Sequence, residues 1–294
     1  MSKKYTRTDL AIERGRADRQ KAESYETKKR IYGKNVLTES IAWSDCEMRA
    51  VRYVTISRDG LWNVEGEAFE MLTTLIASEI RKMSKQLTGK EINRDFRVLI
   101  AGLGNSDITP DAIGPLTVKN LTVTRHLKFE APEVYGKMNI CEISALSPGV
   151  LGQTGIETVE LIRGAADTSS PDLIVAVDAL AARSCDRLAA TVQLSDAGIQ
   201  PGSGIGNTRK AITSESVGVP VVSIGVPTVV DSSTLVYDVL RKAGIKKISP
   251  EVLNVLENGK NFFVSPKESD LIAKKVSEIL AESIHKAYLC PLKE

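Results

Sequence analysis

Residues 172–180 read DLIVAVDAL, an apolar run with the length and β-branched character of a strand buried on both faces. The run then meets Asp178, and an ionised carboxylate is costly in an apolar core unless something pairs with it or uses it. Two further stretches read as buried strands: FRVLIAGLGN (96–105), which runs into a glycine turn, and VPVVSIGVPTVV (219–230). AVRYVTIS (50–57) alternates as a strand does. Between and beyond them lie GEAFEMLTTLIASEIRKMSKQL (66–87), QTGIETVELIRGAAD (153–167) and ESDLIAKKVSEILAESIHKAY (268–288), whose apolar residues recur at helical spacing. TPDAIGPLTVKNL (109–121) predicts another helix, with Thr109 as N-cap and Pro110 in the first helical position. Strands alternating with helices imply one α/β domain, a three-layer α/β/α arrangement around a mainly parallel or mixed sheet.

The bulk composition narrows the function classes. The chain has 294 residues, 42% hydrophobic and 26% charged, the balance of a globule with a sizeable core. A net charge of +2 gives no electrostatic argument for nucleic acid or a membrane, and no apolar run nears the roughly 20 residues of a spanning helix. The N-terminal MSKKYTRTDLAIERGR lacks the apolar stretch of a secretory signal, so a cytoplasmic protein is expected. Cys46, Cys141, Cys185 and Cys290 lie far apart with no CxxC pair, which reads as reduced thiols, and Cys185 as a structural one. With only His126 and His285 present, histidine-based metal sites and Ser–His or Cys–His catalysis are poorly supplied. Residues 1–35, rich in Lys and Arg, read as a solvated peripheral arm.

Ligands of open α/β sheets bind where the strands' carboxyl ends release their loops. GLGNSDITPDAIGP supplies Asp107 and Asp111 at one such end and the 172–180 strand supplies Asp178. If the two strands run the same way, these carboxylates share one edge. Two close carboxylates titrate apart, one holding its proton while the other stays ionised, and so provide an acid and a base together. The competing reading is that each aspartate caps a helix or turn. Glycine-rich GLGNSD and PGSGIGN (201–207) invite a nucleotide reading, but neither completes a dinucleotide or P-loop fingerprint. A nucleotide- or nucleic-acid-binding module therefore stands as an alternative, as does a metal-dependent peptidase using the same carboxylates.

Taken together, RTDLAIE, GLGNSDITPDAIGP, TRH (124–126), SPGVLGQTGIET, AVDALAAR, DAGIQPGSGIGN, IGVPTVVD and VSPKESD make the chain resemble the germination protease family. The resemblance implies an atypical aspartic endopeptidase on a sheet related to the hydrogenase-maturation endopeptidases. Its catalytic aspartates occupy the TPDA and VDALAAR motifs and so fall on Asp111 and Asp178, with no cofactor and no metal; Asp107 lies outside TPDA. Gly104 and Asn105 stand as candidate orienting groups or oxyanion donors. The family's members remove a propeptide themselves and cut small acid-soluble spore proteins after an acidic residue. Residues 8–13, Thr-Asp-Leu-Ala-Ile-Glu, have that form, so self-cleavage between Asp9 and Leu10 is expected, leaving 1–9 as propeptide and 10–294 as the peptidase domain. A homotetramer in the spore interior, with no direct nucleic-acid partner, completes what the resemblance implies.

Overall fold

The computed structural model describes residues 8–13, 24–43, 51–202, 209–245, 247–258 and 262–290. Among the described residues nine strands form one sheet: β1 (Ser24–Tyr32), β2 (Asn35–Trp43), β3 (Val51–Ser57), β4 (Arg97–Gly102), β5 (Glu142–Leu146), β6 (Leu173–Ala182), β7 (Thr191–Ser195), β8 (Val221–Asp231) and β9 (Phe263–Val264). Their order is β1-β2-β3-β7-β8-β6-β4-β5, with β9 paired to the far end of β8. The half from β8 to β5 is parallel and the half from β1 to β8 antiparallel, so the sheet is mixed.

Helices cover both faces of the parallel half. On one face lie α1 (Gly66–Thr88), α2 (Ile113–Lys119) and α6 (Ser269–Ala287). Leu72, Ile76, Ile80 and Met83 of α1 recur on its buried side and share a core with Ile272, Val276, Ile279 and Ile284 of α6. The odd-numbered Leu173, Val175 and Val177 of β6 point into this core. On the opposite face α3 (Thr158–Ser169) lays Val159, Ile162 and Ala166 over the even-numbered Ile174 and Ala176. A further pair, α4 (Ser232–Lys242) and α5 (Pro250–Asn258), follows β8.

Three sequence expectations need correction. The charged stretch 24–35 is not an arm: it supplies β1 and the start of β2, whose full pairing with β3 extends the sheet. Lys28, Lys29 and Arg30 are exposed there, so the charges sit on a sheet edge, where they discourage further strand pairing. Thr109 is not an N-cap either. It opens a 3-10 turn, Thr109–Asp111, that starts after Ile108 with no side-chain cap, and α2 begins only at Ile113. The QTGIETVELIRGAAD stretch is likewise divided, because Gly155 at φ +70° closes the short turn Leu151–Thr154 before α3 starts.

Candidate active site

Asp178 does not end its strand; β6 continues to Ala182. What ends is its neighbour. The β4 pairing stops at Gly102 opposite Val177, with a last bond from the Leu103 N–H to the Val177 carbonyl of 2.8 Å. On the other flank β8 stays in place, setting Gly225 beside Asp178. Asp178 also follows Ile174 and Ala176 along one face, just past the part of β6 that α3 covers. An aspartate at this point is 4% exposed yet lines a cleft of about 410 Å³.

The loop leaving β4 brings Asp111 to the same cleft. Gly102 and Gly114 permit close backbone packing: a Cβ on Gly114 would stand 2.2 Å from the Leu103 carbonyl oxygen and 2.6 Å from that of Val177. Gly104 has φ +112°, and a Cβ there would lie 2.0 Å from the Asp111 carbonyl oxygen. The Asn105 N–H then donates to Asp111 Oδ2 at 2.7 Å. Asn105 thus reaches the carboxylate through its backbone, while its side-chain oxygen accepts from Gln153 and from the Asp107 N–H. Asp107 is exposed and also accepts from Gln153.

Both carboxyls hold their protons more tightly than an ordinary aspartate. Burial raises Asp178 well above the usual range, and the charges of Asp111 and Asp9 push it further; a bond from the Ala179 N–H opposes them. Asp111 is raised by burial alone and drawn back by the Asn105 N–H. The two environments therefore differ in the sense that separates an acid from a base.

Residues 8–13 occupy the edge of β6 that β4 leaves open. The Asp9 N–H donates to the Ala181 carbonyl and the Ala181 N–H to Asp9 Oδ2, each at 2.9 Å. Leu10 is fully buried with Leu180, Ala182 and Val230. Gln193 of β7 accepts from the Ala11 N–H at 2.6 Å and donates from Nε2 to the Asp9 carbonyl at 3.4 Å. The Glu13 carboxylate accepts from the Arg183 and Ser184 N–H groups at 2.7 and 3.0 Å and from the Thr8 hydroxyl at 2.5 Å. The Asp9–Leu10 peptide thus lies against the same strand as Asp178.

The remaining candidates lie elsewhere. Arg125 opens a short helix (Arg125–Glu130), His126 is exposed, and His285 Nε2 accepts from the Thr122 N–H. Neither histidine lines the cleft, and neither does Cys185. Among the described residues no three His, Cys, Asp or Glu side chains converge as metal ligands would. Cys46 and residues 203–207 of PGSGIGN lie outside the described residues; Pro201 and Gly202 line the cleft.

A family model described as Germination protease, a peptidase family, matches residues 16–243. The chain belongs to the germination protease family. The germination protease of Caldanaerobacter subterraneus subsp. tengcongensis is 41% identical over 258 residues, 80% of this chain and 77% of the relative. That of Halalkalibacterium halodurans is 44% identical over 192 residues (65% and 50%), and that of Bacillus subtilis 41% over 247 (79% and 65%). The chain thus spans between half and about three quarters of the length of these curated relatives. The germination protease match includes Asp111 and Asp178 and starts after the segment 8–13. Among the described residues no helix is long and apolar enough to cross a membrane.

Proposed function

We propose that the chain is a self-processing endopeptidase that begins the breakdown of small acid-soluble spore proteins at germination. Asp111 and Asp178 act as its acid–base pair and need no metal. One observation carries this reading: the Asp9–Leu10 bond, an acidic residue followed by leucine and alanine, is docked on β6 beside two carboxyls of unequal, raised pKa. Family membership supplies the peptidase class. The homotetramer, the spore interior and the kinship of the sheet with hydrogenase-maturation endopeptidases belong to the same proposal.

Each carboxyl accepts one backbone N–H, so burial and neighbouring charge separate them: Asp178, more deeply buried and facing Asp111 and Asp9, carries the shared proton, and Asp111 is the ionised base. Water gives a proton to Asp111 as its oxygen adds to the Asp9 carbonyl carbon. Asp178 then donates its proton to the Leu10 nitrogen as the C–N bond breaks, releasing a carboxyl at Asp9 and an amine at Leu10. Transfer of the proton held by Asp111 back to Asp178, through solvent, resets the pair. An external substrate follows the same course with its own acidic residue in the place of Asp9.

The test is digestion of a purified small acid-soluble spore protein with excess chelator present. Wild type is expected to cut after an acidic residue, and folded Asp111→Asn and Asp178→Asn to leave the substrate whole. Near-normal cutting by either folded variant would refute the pair. Activity lost to chelator and restored by one divalent ion would replace it with a metal site.

A further inference from the structure

Gln193 lies two strands away from Asp178 but belongs to the same row. Gln193 of β7 pairs with Gly225 of β8, and Gly225 with Asp178 of β6. Residues in lateral register project from one face, so Gln193 and Asp178 flank a position that has no side chain, about 10 Å apart across two strand spacings. The space over Gly225 is taken by Leu180, whose Cδ1 would stand 2.3 Å from a Cβ there. Leu180 also packs on Leu10. The row thus frames the segment: a carboxyl at one end, an amide at the other, and an apolar floor under the residue after the scissile bond.

We propose that Gln193 is a further catalytic residue: it holds the scissile carbonyl through Nε2 and stabilises the oxygen as it becomes charged. The inference rests on the reading that Asp9–Leu10 is the bond cut. The amide has one acceptor and one donor end, and the Ala11 N–H fixes which is which, because only the oxygen can accept it. With Oε1 held at 2.6 Å, Nε2 is turned to the Asp9 carbonyl, where its bond is long at 3.4 Å. A long bond to a neutral carbonyl that tightens onto an oxyanion contributes more in the transition state than in the ground state. Both of its partners are backbone atoms. Gln193 therefore serves any sequence docked in this register, and selectivity is left to the Leu10 site and the N–H pair that holds Glu13. A neutral amide also adds no charge beside Asp9, Asp111 and Asp178.

The first-order rate of self-cleavage, read by intact mass on the full chain, tests this. Gln193→Met is expected to slow it by about 10²- to 10³-fold, the loss typical of one oxyanion donor. Gln193→Glu separates donor from packing: ionised, it can only accept; protonated, it matches the amide and regains a donor. Its rate relative to wild type is expected to be low at neutral pH and to recover as pH falls. A second arm uses an added peptide whose residue equivalent to Ala11 is N-methylated: methylation slows wild type and leaves Gln193→Met unaffected, both being shown folded by thermal melts. Cleavage by Gln193→Met within a few fold of wild type would overturn the role of Gln193. So would equal slowing of both enzymes by methylation. A wild type that never cuts Asp9–Leu10 would instead overturn the peptidase reading beneath it.

Discussion

At the scale of single residues, the raised carboxyls tie the site to stability. The folded-state pKa of Asp178 lies above its unfolded value, so across that interval the native chain binds more protons than the unfolded one. The contribution of Asp178 is most favourable below the unfolded pKa and is lost as pH rises through the folded value. Asp178→Asn removes the penalty, because the amide stays neutral. The variant is therefore expected to be more stable than wild type at neutral pH, with the gap closing as pH falls toward about 4, the ordinary aspartate range. Denaturant midpoints across pH measure this; a gap that widens toward acid would contradict it. Gly104→Ala acts on the partner. Its Cβ would meet the Asp111 carbonyl oxygen at 2.0 Å in a backbone conformation that L-residues avoid, so Asp111 must move. Activity is expected to fall by about 10²-fold or more, since small misplacements of reacting groups have that effect. An active, folded Gly104→Ala would show the loop to be no part of the mechanism.

At the scale of elements, the hairpin of β1 and β2 depends on a buried charge cluster. Arg52 of β3 pairs with Glu39 of β2 at 2.6 Å and Glu79 of α1 at 3.0 Å, and donates to Gln86 at 2.8 Å. Arg52→Met leaves two buried carboxylates without their cation, a change expected to destabilise by about 3–5 kcal/mol. A loss under 1 kcal/mol in chemical unfolding would mean that the cluster is solvated. This hairpin was not legible in the sequence. Its strands carry Lys28, Lys29, Arg30 and Glu39, and a charged stretch reads as solvated until the partner charges, far along the chain, are in place. β4, β6 and β8 of the parallel half were legible, because strands buried on both faces are written as long, largely apolar runs. The short β5, EISAL, was not, since it opens on the charged Glu142. Asp178 interrupts one of the long runs, and Asp111 follows another. Gln193 escaped for the opposite reason: TVQLS alternates, with Val192 and Leu194 buried in the main core, so a polar residue between them reads as an ordinary solvent-facing one. Its meaning lies in Asp9 and Ala11, which only the folded chain brings near.

At the scale of the whole molecule, residues 8–13 lie along β6 at the border of the cleft, with Asp9 on its wall. Leu10 is the apolar anchor, and Leu10→Ala is expected to weaken docking by about 2–5 kcal/mol, as for other buried leucines. Faster hydrogen exchange at the Asp9 and Ala11 amides would report it, and unchanged protection would mean that the backbone bonds alone hold the segment. In the proposed mechanism the docked bond is itself a substrate of Asp111 and Asp178. The most direct measurement is the intact mass of wild type and Asp178→Asn after incubation with excess chelator. Wild type is expected to show a new N-terminus at Leu10, and Asp178→Asn to stay unprocessed and equally folded. Processing of both at the same rate, or a mature N-terminus other than Leu10, would contradict it.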